Sequence, residues 1–327
     1  MANDTSTGYA SNWNVPNVNG GPLISFSALD YPFLSRVAGR KVSQSDKFAM
    51  GAQYALEAFS AAGVTEADSI TAPTAYAYER TNESGQVQIF HKSAKVTYAK
   101  LSANNRLRFA ESATSGYSYS SDPLQNAIDN ELAFQVARAQ EQIYGNLETA
   151  CMTGTAAAST SASVANAIGG IIPAISTNTV AASSAQLSKS LFDELLRTMA
   201  GNGAKFQRPV IFANAYQKQK LSDIFTYVPT SRNEGGSNIQ MIETDFGRFE
   251  VVFSRFVTTS VLLLADMGFV YLVNQPVPGK SYMGDGLLMM EQLSKTGAAE
   301  AWQIYGQVGL DYGAQALHGT ITGLATA

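Results

Sequence analysis

The sequence predicts an α+β fold, and three patterns in its 327 residues indicate it. Between Ile70 and Leu101, apolar residues alternate with polar ones, which is typical of β-strands. Over residues 123–151, apolar side chains recur at spacings of three and four, which predicts one long helix. Residues 188–275 alternate short apolar runs with helical patterns, which predicts a compact α/β unit.

The composition excludes two classes of protein. Hydrophobic residues make up 45% of the chain, which is too many for an intrinsically disordered protein. The purely apolar runs, such as Val261–Ala265, are far shorter than the roughly 20 residues that cross a bilayer. Charged residues make up only 15%. A surface so poor in charge suits a protein that buries much of its exterior against other copies.

The charge balance and the cysteine content give further expectations. The net charge is −4, which argues against a protein that grips nucleic acid tightly. Cys151 is the one cysteine, so the chain forms no internal disulfide and implies no oxidising compartment. The N-terminal residues lack the apolar core of a secretion signal. We therefore expect a protein that is made and used without export.

The first third of the chain reads as an arm followed by a hairpin. Residues 1–24 are rich in Asn, Ser and Gly and read as an extended arm that the body or partner subunits hold in place. Residues 31–61 have an apolar spacing that predicts partly helical structure. The runs Thr71–Thr81 and Val87–Tyr98 predict two strands, with a turn at Asn82–Gly85. A hairpin this long should project from the body.

The long helix is the strongest local signal. Asp122 is a predicted N-cap, and Pro123 occupies the first helical position. The apolar stripe then runs to residue 151, so the helix is about 42 Å long at 1.5 Å per residue. We call it the spine helix. Its polar face is acidic, with Asp122, Asp129, Glu131, Glu141 and Glu148 against Arg138.

The second half of the chain continues with a different composition. Residues 152–186 are small and nearly uncharged, which fits either a flexible linker or a loop that packs against neighbours. In the α/β unit a helix ends at Gly201, the strand Pro209–Ala213 follows, and a second helix covers 214–225. Four short strands and then the long returning strands after Leu287 complete the chain.

No motif in the chain predicts a catalytic, cofactor-binding or metal-binding site. Gly279-Lys280-Ser281 resembles a phosphate loop, but the required glycine at position 274 is replaced by Asn274. His91 and His318 are isolated in predicted strands, where a histidine hydrogen-bonded within a sheet is expected. Cys151 ends the apolar stripe of the spine helix, where a buried thiol is expected. The sequence therefore predicts a structural protein and no enzyme.

The order of these elements resembles the tailed-phage major capsid protein of the Hong Kong 97-type fold, which encapsulins share. Short local matches extend the resemblance over residues 25–327. They are Leu29–Leu34, Thr81-Asn82 with Gln88–Phe90, Glu141–Gly154, Thr244–Gly247 and Leu293–Gly297.

The resemblance implies six parts. They are an N-terminal arm (1–45), an arm-to-loop segment (46–71), an extended loop made by the β-hairpin (72–107), a peripheral domain with spine helix 123–151 (108–187), an axial domain (188–275) and returning strands shared by both domains (276–327).

The resemblance also implies the function, the partners and the place of assembly. The chain would self-assemble through pentamers and hexamers into an icosahedral shell around the double-stranded DNA of a tailed bacteriophage. No cofactor, membrane or sequence-specific DNA contact is implied. Because Met1 is present, we expect any scaffolding protein to be a separate chain, alongside portal and cement proteins. The product would be a virion capsid, assembled in the host cytoplasm.

The charge pattern suggests how subunits would meet. Over residues 80–108 the hairpin carries six basic residues and Glu83, a net +5, whereas residues 122–148 carry a net −4. In this fold the extended loop lies across a neighbour, so we expect the basic and acidic surfaces to face each other and set register. Two solvated faces that never meet remain the alternative. The candidate contacts are Arg80, Lys92, Lys95, Lys100, Arg106, Arg108, Asp129, Glu131, Glu141 and Glu148.

Three other functions stay open at this point. An encapsulin-like nanocompartment would share the fold but needs a groove for a cargo peptide. An α/β enzyme that uses residues 188–275 would need converging titratable side chains, which the sequence does not place. A secreted adhesin is disfavoured because no signal peptide is visible. Some relatives cross-link a hairpin lysine to an asparagine, but no acceptor pattern is recognisable here.

Overall fold

The computed structural model describes residues 30–54, 61–73, 75, 77–78, 80–99, 131–225, 239–284, 286–295 and 297–326. The strands are β1 Gly39–Val42, β2 Lys47–Tyr54, β3 Arg80–Thr97, β4 Thr179–Ala181, β5 Pro209–Ala213, β6 Met241–Thr244, β7 Gly247–Phe253, β8 Leu262–Asp266, β9 Tyr271–Asn274, β10 Met289–Gln292, β11 Ala299–Asp311 and β12 Gly319–Thr322. The helices are α1 Glu66–Ser69, α2 Glu131–Thr153, α3 Ile171–Ala174, α4 Lys189–Gly201 and α5 Ala215–Ile224.

The described strands form two sheets of six strands each. The first has the order β1-β9-β11-β3-β2, with β10 paired to β11, and the second has the order β4-β12-β8-β5-β7-β6. The contacts divide the described chain into two compact units. Unit 1 holds residues 30–31, 89–99, 131–149 and 274–308, and unit 2 holds 32–54, 61–88, 150–273 and 309–326. The second sheet belongs wholly to unit 2.

The second sheet confirms the predicted α/β unit. Strands β5 and β7 are parallel, β5 and β8 are antiparallel, and β5 is buried throughout. Helix α4 begins after Ser188, whose side chain accepts a hydrogen bond from the Leu191 amide at 3.4 Å. Its apolar stripe then buries Phe192 and Met199 in the core of unit 2. The C-terminal strand β12 lies between β4 and β8, so the last residues of the chain complete this sheet.

The predicted hairpin turn at residues 82–85 is wrong. Strand β3 runs without a break from residue 80 to 97, and it pairs antiparallel with β2, with Gly85 opposite Phe48. Gly85 lies in this strand because a Cβ there would overlap the Phe48 ring. The hairpin is therefore formed by β2 and β3, and the chain that connects them is residues 55–79. The helical expectation for 31–61 is likewise wrong over β1 and β2.

The spine helix is confirmed over Glu131–Thr153, a length of about 35 Å. Ile143, Leu147 and Cys151 are fully buried, as the apolar stripe predicts. The predicted cap at Asp122-Pro123 lies outside the described residues.

The small-residue segment after the spine helix packs within its own subunit. The expectation of a flexible linker is wrong where residues 154 and 168–171 pack together, whereas a loop against neighbours stays a prediction, because residues 158–165 are exposed. The Gly170 amide donates to the Gly154 carbonyl at 2.8 Å, and a Cβ on Gly170 would lie 2.5 Å from the Gly154 nitrogen. Ile168 and Ile171 are buried beside this backbone crossing. Small residues are needed here because two chain segments touch.

A strained turn follows β4 and gives a first prediction. Ser183 and Ser184 both have positive φ, of 49° and 66°, and the Ala185 amide donates to the Ala182 carbonyl at 2.8 Å. Serine in this conformation costs about 1 kcal/mol, which glycine does not pay. We expect Ser184→Gly to raise the free energy of unfolding by about 1 kcal/mol in urea titrations of the subunit. Ser184→Ala keeps the strain and should give no increase; an equal gain from both variants would contradict the interpretation.

Candidate assembly surfaces

The structure describes only part of the predicted contact set. Lys100, Arg106, Arg108 and Asp129 lie outside the described residues, and so does the side chain of Glu131. The basic residues that remain, Arg80, Lys92 and Lys95, are all exposed on β3, as a contact surface requires. The acidic ones that remain are Glu141 and Glu148, both on the spine helix.

The two hairpin lysines lie on opposite faces of β3. Side chains alternate along a strand, so residues separated by three positions project to different sides. Lys92 shares its side with Phe90 and Ala94, which are buried. Lys95 shares the other side with Ile89, which is well exposed. One flat acidic surface therefore cannot take both lysines.

The acidic face of the spine helix is smaller than predicted. Glu148 is 0% exposed, so it is not part of the surface of the subunit, and its prediction as a contact for a neighbour needs correction. Glu148 directly follows the buried Leu147 in the helix. The buried face of the helix is therefore wider than the apolar stripe alone. Glu141 is partly exposed, but it pairs within the helix with Arg138 at 2.7 Å.

Tyr31 contacts the spine helix near its acidic residues Glu141 and Glu148. Its hydroxyl donates to the Glu141 carbonyl at 2.8 Å, and its ring packs against Tyr144 at 5.8 Å between centroids. Burial, followed by the carboxylates of Glu141 and Glu148, raises the pKa of the Tyr31 hydroxyl. The buried carboxylate of Glu148 therefore interacts with Tyr31 inside unit 1.

An apolar surface at the end of the hairpin was not predicted from the sequence. We call residues 61–73, 75, 77 and 78 the tip segment. Every one of these residues is exposed. Ile70 is 84% exposed and Tyr78 is 56% exposed, and Val64 is equally open. The apolar residues alternate with polar ones in this segment, and that alternation predicted a strand with one buried side instead of an exposed surface.

The tip segment has local order without a core of its own. The Thr65 hydroxyl accepts a hydrogen bond from the Asp68 amide at 3.1 Å and so caps the short helix α1. The four residues of α1 bury none of their side chains. Helices this short are unstable alone in water, and exposed apolar side chains add nothing to the stability of the subunit. The tip segment therefore presents its apolar side chains to solvent in the isolated subunit.

Within unit 2, an aromatic ring fixes the pairing of β2 with β3. Phe48 of β2 packs over Gly85 of β3 and Gly309 of β11, where a Cβ would lie 2.6 Å from a ring carbon. Two glycines on neighbouring strands thus make a slot that only an unsubstituted backbone leaves open. The ring therefore fixes the pairing register of β2 and β3.

The strands of unit 1 carry a polar network on their exposed side. His91 Nε2 lies 3.1 Å from the Gln303 Oε1 atom, and Gln303 Nε2 donates to Glu291 at 3.3 Å. Lys280 completes the row by pairing with Glu291. The hydrogen bond from Lys280, then that from Gln303, lowers the pKa of the Glu291 carboxyl. The network joins neighbouring strands of unit 1 through their side chains.

The described residues hold no cluster of three His, Cys, Asp or Glu side chains that could bind a metal ion. Over the same ranges, no helix combines the length and apolar character that crossing a bilayer requires. Cys151 is buried, as predicted. His318 is also buried and accepts a hydrogen bond from the backbone of β8, in agreement with the expectation of a histidine bonded within a sheet.

Comparison with known proteins identifies the family and the fold of the chain. The family model described as SU10 major capsid protein matches residues 5–325. No curated protein sequence matches the chain.

Solved structures with the same fold include shells of several kinds. The capsid asymmetric unit of cyanophage A-1(L) has a TM-score of 0.65 at 13% identity, covering 97% of this chain and 98% of that chain. The capsid of a native GTA particle has a TM-score of 0.60 at 12% identity, covering 97% and 100%. The SrpI encapsulin from Synechococcus elongatus PCC 7942 has a TM-score of 0.55 at 11% identity, covering 93% and 94%. At these identities the likeness shows the fold, which is the Hong Kong 97-type fold that the sequence resembles.

Proposed function

The chain belongs to the SU10 major capsid protein family, and from this premise we propose that it closes an icosahedral shell around double-stranded DNA by resting its hairpin tip on neighbouring copies. A major capsid protein associates with itself into capsomers and resides in the virion. Scaffolding, portal and cement proteins, and assembly in the host cytoplasm, belong to the proposal. So do the peripheral role of the spine helix and the axial role of residues 188–275.

The exposed tip segment is the observation that carries the proposal. Ile70, Val64 and Tyr78 are open to water, although burying such a side chain is worth about 1.5–3 kcal/mol. Exposed apolar groups of this density mark a contact surface. Because each subunit both offers a tip and receives one, weak contacts repeat around the shell and add through multivalency.

The charged side chains set the register of this contact. Lys92 and Lys95 face opposite sides of β3, so we assign them to different surfaces of neighbouring copies. The acidic partners that remain on the described spine helix are reduced to Glu141, with Asp129 and Glu131 as the further candidates. Exposed pairs of this kind steer encounter more than they add affinity.

Charge reversal at Lys92 and at Lys95 tests the contribution of each lysine to assembly separately. We expect Lys95→Glu and Lys92→Glu each to slow shell formation, with the loss largest at low salt because screening weakens such pairs. Assembly is followed by light scattering at two salt concentrations. Lys95→Arg and Lys92→Arg retain the charge and serve as matched controls. Unchanged assembly of both reversal variants at low salt would favour two solvated faces that never meet.

The mild acidity of the chain fits a container for DNA. A net charge of −4 keeps the wall from binding the packed genome tightly. An encapsulin-like compartment shares the fold, but the family match favours the phage capsid.

The direct test is size-exclusion chromatography of the purified chain, with negative-stain microscopy of the excluded fraction. We expect closed uniform shells or rings of five and six subunits. A chain that stays at its monomer mass of 34.8 kDa with crowding agents and with a co-expressed scaffold would overturn the proposal. Nuclease-protected DNA in shells from infected cells separates a phage capsid from a cargo compartment.

A further inference from the structure

His318 occupies a closed polar site between two strands of unit 2. It lies directly before β12 and is 0% exposed. The backbone amide of Asp266, at the end of β8, donates to His318 Nδ1 at 3.1 Å. The other ring nitrogen, Nε2, lies 2.7 Å from the Tyr312 carbonyl oxygen. Both ring nitrogens are therefore engaged by backbone groups.

These two contacts require a neutral imidazole. Nδ1 accepts from an N–H group, so it carries no proton, and Nε2 must donate to the carbonyl oxygen. A second proton on Nδ1 would point at the Asp266 amide, which is also a donor. Burial is the main cause that lowers the pKa of His318, although the Tyr312 carbonyl and the Asp266 charge act in the opposite direction.

The charged and titratable groups around the ring cannot rescue the cation. The Asp266 carboxylate is already engaged, since it accepts from the amides of Gln207 and Arg208 at 2.8 Å and of Gly268 at 3.1 Å. The Tyr312 hydroxyl interacts with Glu83, and burial together with that carboxylate raises the pKa of this hydroxyl. Asp311, next to Tyr312, is engaged as well, since it pairs with Lys41 at 2.6 Å and accepts from the Gly313 amide at 2.9 Å.

The segment that His318 closes joins several parts of unit 2. The Gln315 amide donates to Glu83 of β3 at 3.2 Å, and the Gln315 side chain accepts from the amides of Ser176 and Thr177. Asn178 donates to the carbonyl oxygen of His318 at 2.9 Å. Residues 312–318 therefore tie the hairpin strand and the second sheet to one loop.

We propose that His318 is an acid-sensitive latch: its protonation breaks the Asp266 and Tyr312 contacts and frees residues 312–318, together with the hairpin base that they hold. Neutral His318 fixes the loop and keeps Glu83 of β3 in place. The charged ring leaves its site for water and takes the loop with it. In a shell, and on the proposed function given above, acid would then loosen the hairpins that connect neighbouring copies.

The pH window follows from the direction of the shift. The open loop exposes a histidine with a pKa near 6.5, whereas the closed loop holds one with a lower pKa. Between these two values the open state binds more protons, so closure weakens as the pH falls below 6.5. The opening equilibrium should rise about tenfold for each pH unit in this window.

The first test measures the latch without any substitution. Hydrogen–deuterium exchange at the C2 position of histidine, read by mass spectrometry, reports the pKa of each ring, and His91 and His318 fall in different peptides. We expect the His318 midpoint below 6.5 in subunits that have not assembled. A midpoint at or above 6.5 would overturn the proposal.

The second test follows the loop itself. Backbone hydrogen exchange should show that residues 312–322 and the end of β8 lose protection between pH 7 and pH 5 before the rest of unit 2. His318→Gln removes the proton switch and should abolish this step, whereas His91→Gln, at an exposed ring, should retain it. The proposal fails if the His318→Gln loop keeps the same acid step, or if all of unit 2 opens together.

Unassembled subunits separate this proposal from the capsid function. A latch that opens with acid in subunits that never form shells would confirm the device and reject the proposed assembly. Shells that form normally from a chain with no acid step would support the proposed assembly and reject the latch.

Discussion

Replacing Ile321 with aspartate should unfold the second sheet. Ile321 is 0% exposed and is the central apolar residue of β12, opposite Leu262 of β8 and Val180 of β4. The new carboxylate would have no partner in this apolar core, which costs about 3–5 kcal/mol in addition to the lost apolar burial. Total stabilities are about 5–15 kcal/mol, so most of the folded population should be lost.

Urea titration of the unassembled subunit, followed by far-UV circular dichroism, measures this loss. Thr322→Asp is the matched control, because Thr322 is the next residue of the same strand and only partly buried. We expect the control to cost less than about 1 kcal/mol. Equal losses from the two variants would mean that strand β12 tolerates no charge on either side. Retained stability in Ile321→Asp would contradict the central position of β12.

The elements with strong local signals were predicted from the sequence. The stripe that contains Ile143 and Leu147 needs only its own spacing to indicate a helix, and the structure buries both side chains. The cap at Ser188 and the apolar run Pro209–Ala213 likewise carry their own information. Each of these signals depends on residues that are close together in the chain.

The errors came from residues whose role is set by distant neighbours. Gly85 looks like a turn residue in its local sequence, but it is required by the ring of Phe48, 37 positions earlier in the chain. Glu148 looks like one acid on a polar face, and only the three-dimensional packing of the helix reveals that it is buried. Local patterns contain neither fact.

For the candidate assembly surfaces, the sequence predicted which residues lie on the hairpin but not which face each of them occupies. Lys92 and Lys95 were correctly predicted on the hairpin, since charge is visible in sequence. Their placement on opposite faces depends on β3 being one unbroken strand. The exposed apolar tip could not be predicted, because the same alternation of apolar and polar residues occurs in a strand with one buried side and in a segment with no buried side.

A single charge in the hairpin tip should stop shell assembly while leaving the subunit folded. Ile70 is 84% exposed, so Ile70→Asp removes no core contact, and the urea midpoint of the isolated subunit should stay within error. In a shell the same aspartate would have to be buried at every copy of the contact. A penalty of about 2 kcal/mol per contact is a factor of about 30 in each association step, and repetition around the shell multiplies it.

The comparison that decides is between Ile70→Asp and Ile70→Leu at equal subunit concentration. Leucine keeps the apolar surface and should assemble as the parent chain does, whereas aspartate should leave subunits or small rings in sedimentation velocity and microscopy. The same contrast at Val42, an exposed apolar residue of β1 outside the hairpin, tests whether the tip is special. Full shells from Ile70→Asp would mean that the tip faces solvent in the assembled capsid. The lysine-bearing faces of β3 would then be the next candidates for the contacts between copies. Because those contacts are electrostatic, shell formation would become strongly dependent on salt, while an assembly held by the tip would be far less sensitive to it.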